Sequence, residues 1–185
     1  IPLLGDHNVR NATAAIAVSL NLGIKIDIVK GALKNFIGVQ RRFNKIFSYN
    51  KIDFYDDYAH HPTEIKALLT GIKSVHRSRK IISVFQPHRF SRIRLLKREF
   101  AEAFKHCEEV VLCPVYPAGE KINKHFNYHS FGKLIAKKSN VTLIILKSEN
   151  DLLNYFRKNL FDNELVVCMG AGSISTWIRN ISNKL

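Results

Sequence analysis

The sequence predicts an α/β protein with a doubly wound, mostly parallel sheet, preceded by short helices. Two observations carry this. Continuous apolar runs of about five or six residues alternate with amphipathic stretches, the pattern of strands covered on both faces. The chain has 185 residues, 46% of them hydrophobic and 24% charged, enough to bury such a sheet without disulfides or a metal.

Taken in order, Asn8 to Leu20 is Ala-rich with apolar residues at helical spacing, and Gly23 stands where a helix ends left-handed. Asp27 is expected to cap a second helix that reaches Phe36. Gly38 ends the helical pattern. Arg42 to Tyr49 and Ile52 to Tyr55 are aromatic and β-branched runs separated by Asn50-Lys51, which predicts a hairpin. A domain boundary is therefore expected within Ile37 to Gln40, dividing residues 1–37 from 38–185. Pro62 suits a first helical turn, and its helix runs to Ile72. Strands are then expected at Ile81–Phe85, Val110–Val115, Val141–Leu146 and Leu165–Met169. The helices expected between and after them are Phe90–Phe104, His129–Lys137, Asp151–Lys158 and Ile174–Ile181. Ligands of such a sheet sit beyond the carboxyl ends of the strands, so the loops after Tyr55, Phe85, Val115 and Met169 are where chemistry is expected.

With 29 Lys and Arg against 15 Asp and Glu, the formal charge is +14, which favours anionic partners without choosing among phosphates, nucleic acid and acidic lipid. No apolar run approaches the length of a membrane helix and no basic-then-apolar leader precedes Ile1, so a soluble cytoplasmic protein is expected. Cys107, Cys113 and Cys168 are odd in number and lack metal or redox spacing, as reduced thiols do. The chain opens on Ile1 inside an apparent structural element, so it is expected to be a piece of something longer.

The loop after Tyr55 reads Asp56-Asp57-Tyr58-Ala59-His60-His61-Pro62-Thr63-Glu64, two carboxylates and two imidazoles running into a helix. Acid pairs hold metals or ribose and imidazoles hold carboxylates or move protons. The plainer reading is that Asp56 and Asp57 cap the helix. His60 and Glu64 are four apart, but the Pro62 turn and the lack of a third ligand argue against zinc. After Phe85, Arg89 and Arg92 stand three apart at a helix start, where guanidinium forks suit a carboxylate or phosphate and oppose the macrodipole. Nine basic residues and no acidic one lie between Lys73 and Arg98, yet the nearby aromatics Phe85 and Phe90 sit at core-like positions, against a nucleic-acid surface. Gly170-Ala171-Gly172-Ser173 is not a full dinucleotide fingerprint and fits close packing of the last helix better. Asn8 and Asn11, three apart, are placed to read an adenine edge or to cap a helix.

Together these segments carry a resemblance. Gly5 to Ala12, Gly38-Val39-Gln40-Arg41-Arg42-Phe43, Asp56 to Glu64, Phe85 to Arg92, Val115-Tyr116 to Gly119-Glu120 and Met169 to Gly172 resemble, in order and spacing, the Mur ligases. The branch of best match couples L-alanine to UDP-N-acetylmuramate in peptidoglycan synthesis. A murein-peptide recycling ligase is similar in the Asp56 segment but not at Gln86-Pro87-His88-Arg89. The resemblance implies that residues 1–37 end a central ATPase domain and that 38–185 form the Rossmann-like C-terminal domain. It implies an ATP- and magnesium-dependent ligase that phosphorylates the lactyl carboxylate and lets the amine of L-alanine attack the acyl phosphate. It places Asn8, Asn11, Arg42 and Asp57 at ATP, with the two asparagines at adenine. It places Tyr58, His60, His88, Arg89 and Arg92 at the alanine end of the substrate, with Arg89 or Arg92 pairing the alanine carboxylate. No GxxxxGK[ST] loop is present, so the magnesium ligands and the phosphate cradle are expected outside this chain, which alone should carry no catalytic residues and no metal. Ser173 stands where the family commonly has Asp. No membrane and no specific nucleic acid are expected as partners; the other reading of the charge is a basic anion- or nucleic-acid-binding domain.

Overall fold

The structure is a computed structural model that describes residues 6–36 and 38–185. Gly5 of the first motif and Ile37 of the expected boundary lie outside the described residues. The chain divides into two compact units between Arg42 and Phe43.

The first unit holds helix α1 (Asp6–Asn21) and helix α2 (Ile26–Asn35). Gly23 at φ 77° turns the chain out of α1, the left-handed position the sequence implied. Asp27 does not cap α2. The cap position is Lys25, and Asp27 lies in the first turn, where its charge complements the exposed N–H groups.

The second unit is a six-stranded sheet of β1 (Asn44–Tyr49), β2 (Ile52–Asp57), β3 (Ile81–Phe85), β4 (Glu109–Leu112), β5 (Thr142–Ile145) and β6 (Leu165–Met169). Their spatial order is β1-β2-β6-β3-β4-β5. β1 pairs antiparallel with β2 and every other pair is parallel. The helices are α3 (Pro62–Val75), α4 (Phe90–Leu95), α5 (Lys97–Glu102), α6 (Tyr128–Ser139), α7 (Glu149–Asn159) and α8 (Ile174–Ser182). The doubly wound, mostly parallel sheet is thus as expected.

Side chains alternate along each strand, and the two faces build two cores. Ile81, Phe85, Val110, Leu112, Leu165 and Val167 pack against Ile65, Leu69, Phe100, Phe104 and Phe131 on one side. Ile82, Val84, Val111, Val166 and Cys168 pack against Leu152, Phe156, Ile174 and Ile178 on the other. All three cysteines are buried and free. Burial pushes the Cys113 thiol up to about 12 and raises those of Cys107 and Cys168 as well, so they serve as small apolar side chains.

Three further differences from expectation lie in the second unit. The single helix expected over Phe90–Phe104 is two, broken at Leu96, whose ψ of 28° leaves the helical range. The turn lets Leu96 pack on the same core that buries Ile93 and Phe100. β4 stops at Leu112 because Pro114 has no N–H for the ladder. α3 is capped neither by Asp56 nor by Asp57. His61 occupies the cap and accepts from Thr63 N, while Glu64 reaches back to the His61 N–H in a capping box.

Candidate functional site

The loops leaving β3 and β6 turn to opposite faces of the sheet, the first into α4 and α5 and the second into α8, so a crevice opens between neighbouring strand ends. Gln86, fully buried, forms its floor. Its Nε2 donates to Ser173 Oγ at 3.0 Å, and its Oε1 accepts from Ile174 N at 3.0 Å. Ser173 gives α8 no side-chain cap, so Gln86 caps that helix from across the sheet. The glycines of the turn are filled by protein. A Cβ on Gly170, at φ 151°, would lie 2.7 Å from Gln86 O, and one on Gly172 would lie 2.4 Å from Tyr116 Cγ. That agrees with close packing rather than a phosphate cradle.

The end of β2 supplies the next wall. Asp56 is wholly buried, and its Oδ2 accepts from the Ser175 hydroxyl and from Arg179 Nη2. Asp57 shapes the loop: Oδ1 accepts from Ala59 N and Oδ2 from Phe43 N, each at 2.7 Å.

Beyond these carboxylates a row of rings crosses the crevice. Tyr58 meets His60 edge-on at 5.1 Å, His60 meets His88 at 5.7 Å, and His88 stacks on Tyr116 at 5.7 Å with planes 15° apart. The imidazole protons follow from their neighbours. His60 Nδ1 lies 2.9 Å from Tyr58 O and 3.3 Å from Glu64 Oε2, both acceptors, so Nδ1 carries hydrogen. His88 Nδ1 lies 3.3 Å from Arg92 Nη1, which can only donate, so His88 keeps its hydrogen on Nε2. Burial, and then the charges of Arg92, His60 and Arg89, hold the His88 pKa below its ordinary value. The crevice therefore presents two imidazoles, His88 as a donor through Nε2, beside a guanidinium.

Three apart at a helix start, Arg89 and Arg92 would share a face only if both were helical, and Arg89 is not. It stands instead at the cap of α4 with φ 68°, exposed, its N–H donating to Tyr116 O at 2.9 Å. Four of the five residues expected at the alanine end, Tyr58, His60, His88 and Arg92, form one connected chain of contacts. Arg89 lies close enough for its charge to bear on His88 and on Glu120. The expected ATP group is split between the units. Asn8, Asn11 and Arg42 line one cavity of about 490 Å³ in the first unit with Ala12, Ala15 and Val39, while Asp57 belongs to the second. Among the described residues no group of three His, Cys, Asp or Glu could hold a metal ion. Glu64, weighed with His60 as a zinc pair, instead closes the capping box with His61 and also accepts from His60 N. No described helix is long and apolar enough to cross a membrane.

Sequence reasoning gave no role to Gln86, Tyr116 or Glu120. Each acts on residues distant in the chain, and the only signal was their place in the recurring motifs.

Residues 41–172 match the family model of the Mur ligase, glutamate ligase domain. The chain is 50% identical over 98% of its length to a UDP-N-acetylmuramate–L-alanine ligase of Pelagibacter ubique, covering 39% of that protein. It is 40% identical over its whole length to the enzyme of that name from Brachyspira hyodysenteriae, again covering 40% of it. The crystal structure of the UDP-N-acetylmuramate–alanine ligase from Thermotoga maritima superposes with a TM-score of 0.77 at 32% identity, over all of this chain and 38% of that one. A murein peptide ligase from Psychrobacter arcticus shares the fold, with a TM-score of 0.74 at 23% identity over 97% of this chain and 37% of that one. The chain spans about two fifths of the length of these relatives.

Proposed function

Since the chain belongs to the Mur ligase family, we propose that it is the carboxyl-terminal part of a cytoplasmic, ATP-dependent ligase that joins L-alanine to UDP-N-acetylmuramate in peptidoglycan synthesis. ATP supplies the phosphoryl group that converts the lactyl carboxylate into an acyl phosphate, which the alanine amine attacks with loss of phosphate. The observation that carries this reading is the meeting of His60, His88 and Arg92 in one crevice. An amino acid brings a carboxylate and an amine. The Arg92 guanidinium, with Arg89 beside it, suits the carboxylate, and Nε2 of His60, when that ring is neutral, suits an N–H of the amine. Holding both ends aims the nitrogen at its target, which is the contribution positioning makes to an acyl transfer. Tyr58 packs on His60 and walls the pocket.

The cavity of the first unit fits an adenine. It is mostly apolar, with the Asn8 and Asn11 amides for the base edge and the Arg42 cation for a phosphate. Asp57, in the second unit, would be a further contact of the nucleotide. Magnesium would be held outside this chain, in the remainder of the central domain. Among the described residues of the first unit nine large apolar side chains are exposed, Leu22 and Ile28 most of all, a surface suited to packing on such a remainder. The test is phosphate release. The complete ligase should release phosphate in proportion to L-alanine and ATP, while the 185-residue chain alone should bind ATP weakly and release none; alanine-dependent release by the chain alone overturns the assignment.

A further inference from the structure

We infer that Tyr116 is a positioning residue for the amino-acid end of the site, acting through the ring of His88 and the backbone of Arg89. That His88 faces the amino acid rests on the ligase reading; the grip of Tyr116 on the 88–92 segment does not.

The grip has several parts. Beyond the last ladder bonds of β3 and β4, a parallel bridge joins His88 to Tyr116. Tyr116 N donates to Pro87 O at 2.8 Å, and Arg89 N donates to Tyr116 O at 2.9 Å. The second bond holds Arg89 at φ 68°, a conformation that costs a residue with a Cβ on the order of 1 kcal/mol and persists only where neighbours fix it. The Tyr116 ring rests on the bare backbone of Gly172 and lies parallel to the His88 ring. Four residues on, Glu120 closes the other side, its carboxylate accepting from Ser91 N at 3.2 Å and from the Ser91 hydroxyl. Loop 116–120 thus seizes the start of α4 at both ends.

The consequence for His88 is chemical. The groups that bear on it are His60, Arg89 and Arg92, which disfavour its charged form, Glu120, which favours it, and the Tyr116 ring, which covers one face from water. With that cover in place His88 stays a neutral donor at Nε2. With the cover gone the ring gains water, protonates more readily and loses the acceptor that Arg92 Nη1 uses.

The experiment has two arms. In the first, the 185-residue chain carrying labelled histidine is titrated by NMR, with the His88 signal identified by its loss in His88→Gln. Tyr116→Leu should move the His88 midpoint up toward the ordinary histidine value, and Tyr116→Phe, which keeps the stack, should restore it. Should Tyr116→Leu not fold, Gly172→Ala displaces the ring without removing it and should give the same rise. An unmoved midpoint in the variants that fold overturns the inference whatever the protein does. In the second arm, in the complete ligase, Tyr116→Leu should raise the KM for L-alanine roughly tenfold while the KM values for ATP and the sugar nucleotide stay within about twofold. A moved midpoint with an unmoved KM for alanine would leave the grip standing and remove His88 from the alanine end. Equal loss of affinity for all three substrates would show a merely structural role and also overturn the inference.

Discussion

His88 and Arg92 show how much one contact decides. Because Arg92 can only donate, the 3.3 Å contact fixes the His88 tautomer, and burial together with the surrounding cations depresses its pKa. The sign of the resulting pH dependence follows. The unfolded chain takes up a proton near pH 6.5 that native His88 resists, so the stability linked to this group is complete above about pH 6.5 and falls as pH drops through the lower native midpoint. Denaturant titrations of the chain and of His88→Gln between about pH 5 and 7.5 should therefore show the substitution flattening the acid side of the profile. For Arg92, truncation to Ala in the complete ligase should lower kcat/KM for L-alanine by about ten- to a hundredfold while sugar-nucleotide affinity stays nearly intact. Collapse of sugar-nucleotide binding would place Arg92 elsewhere in the reaction.

At the level of elements, what could be read in the sequence was what depends on neighbours in the chain. Ile81–Phe85 and Leu165–Met169 are strands at the expected residues because an apolar run between breakers carries that information locally. The break at Leu96 was not legible, since helical apolar spacing continues through it and only the shared core explains the turn. Nor was the cap of α8, because its acceptor, Gln86, lies 88 residues away from Ile174. The site divided the same way: His60 and Arg92 stood out as reactive types at strand ends and Tyr58 and His88 came with the family resemblance, whereas Tyr116 looked like one aromatic among several. The hairpin turn offers a clean test. Asn50 and Lys51 both have positive φ, the requirement of a type I′ turn, and Lys51 has a Cβ that disfavours it. Its ion pair with Asp162, at 3.4 Å between exposed side chains, is worth little. Lys51→Gly should stabilise the chain by about 0.5–1 kcal/mol, raising Tm by roughly 2–3 °C in a calorimetric scan.

For the molecule as a whole, the two units differ in how much core they own. Val29 is the one buried apolar side chain among the described residues of the first unit, whereas the second has two continuous cores. Limited proteolysis should therefore trim the chain from its amino terminus to a resistant product beginning near Phe43, read by mass spectrometry; a product that keeps both helices under conditions that cut exposed loops would contradict this. The charge of +14 falls on both units. Arg89 and Arg92 stand at the crevice, while Lys97 and Arg98 are exposed on α5, so weak retention on DNA that vanishes with added salt is expected. One detail of the sheet bears on handling. Its two edges are β5, only four residues long, and β1, whose pairing slips between Lys45 and Phe47 and whose Lys45 is tied to Asp53 at 2.6 Å. A short edge at one side and a bulged, charged one at the other give a second chain no straight template to zip onto, which makes this sheet resistant to growing into aggregates at high concentration.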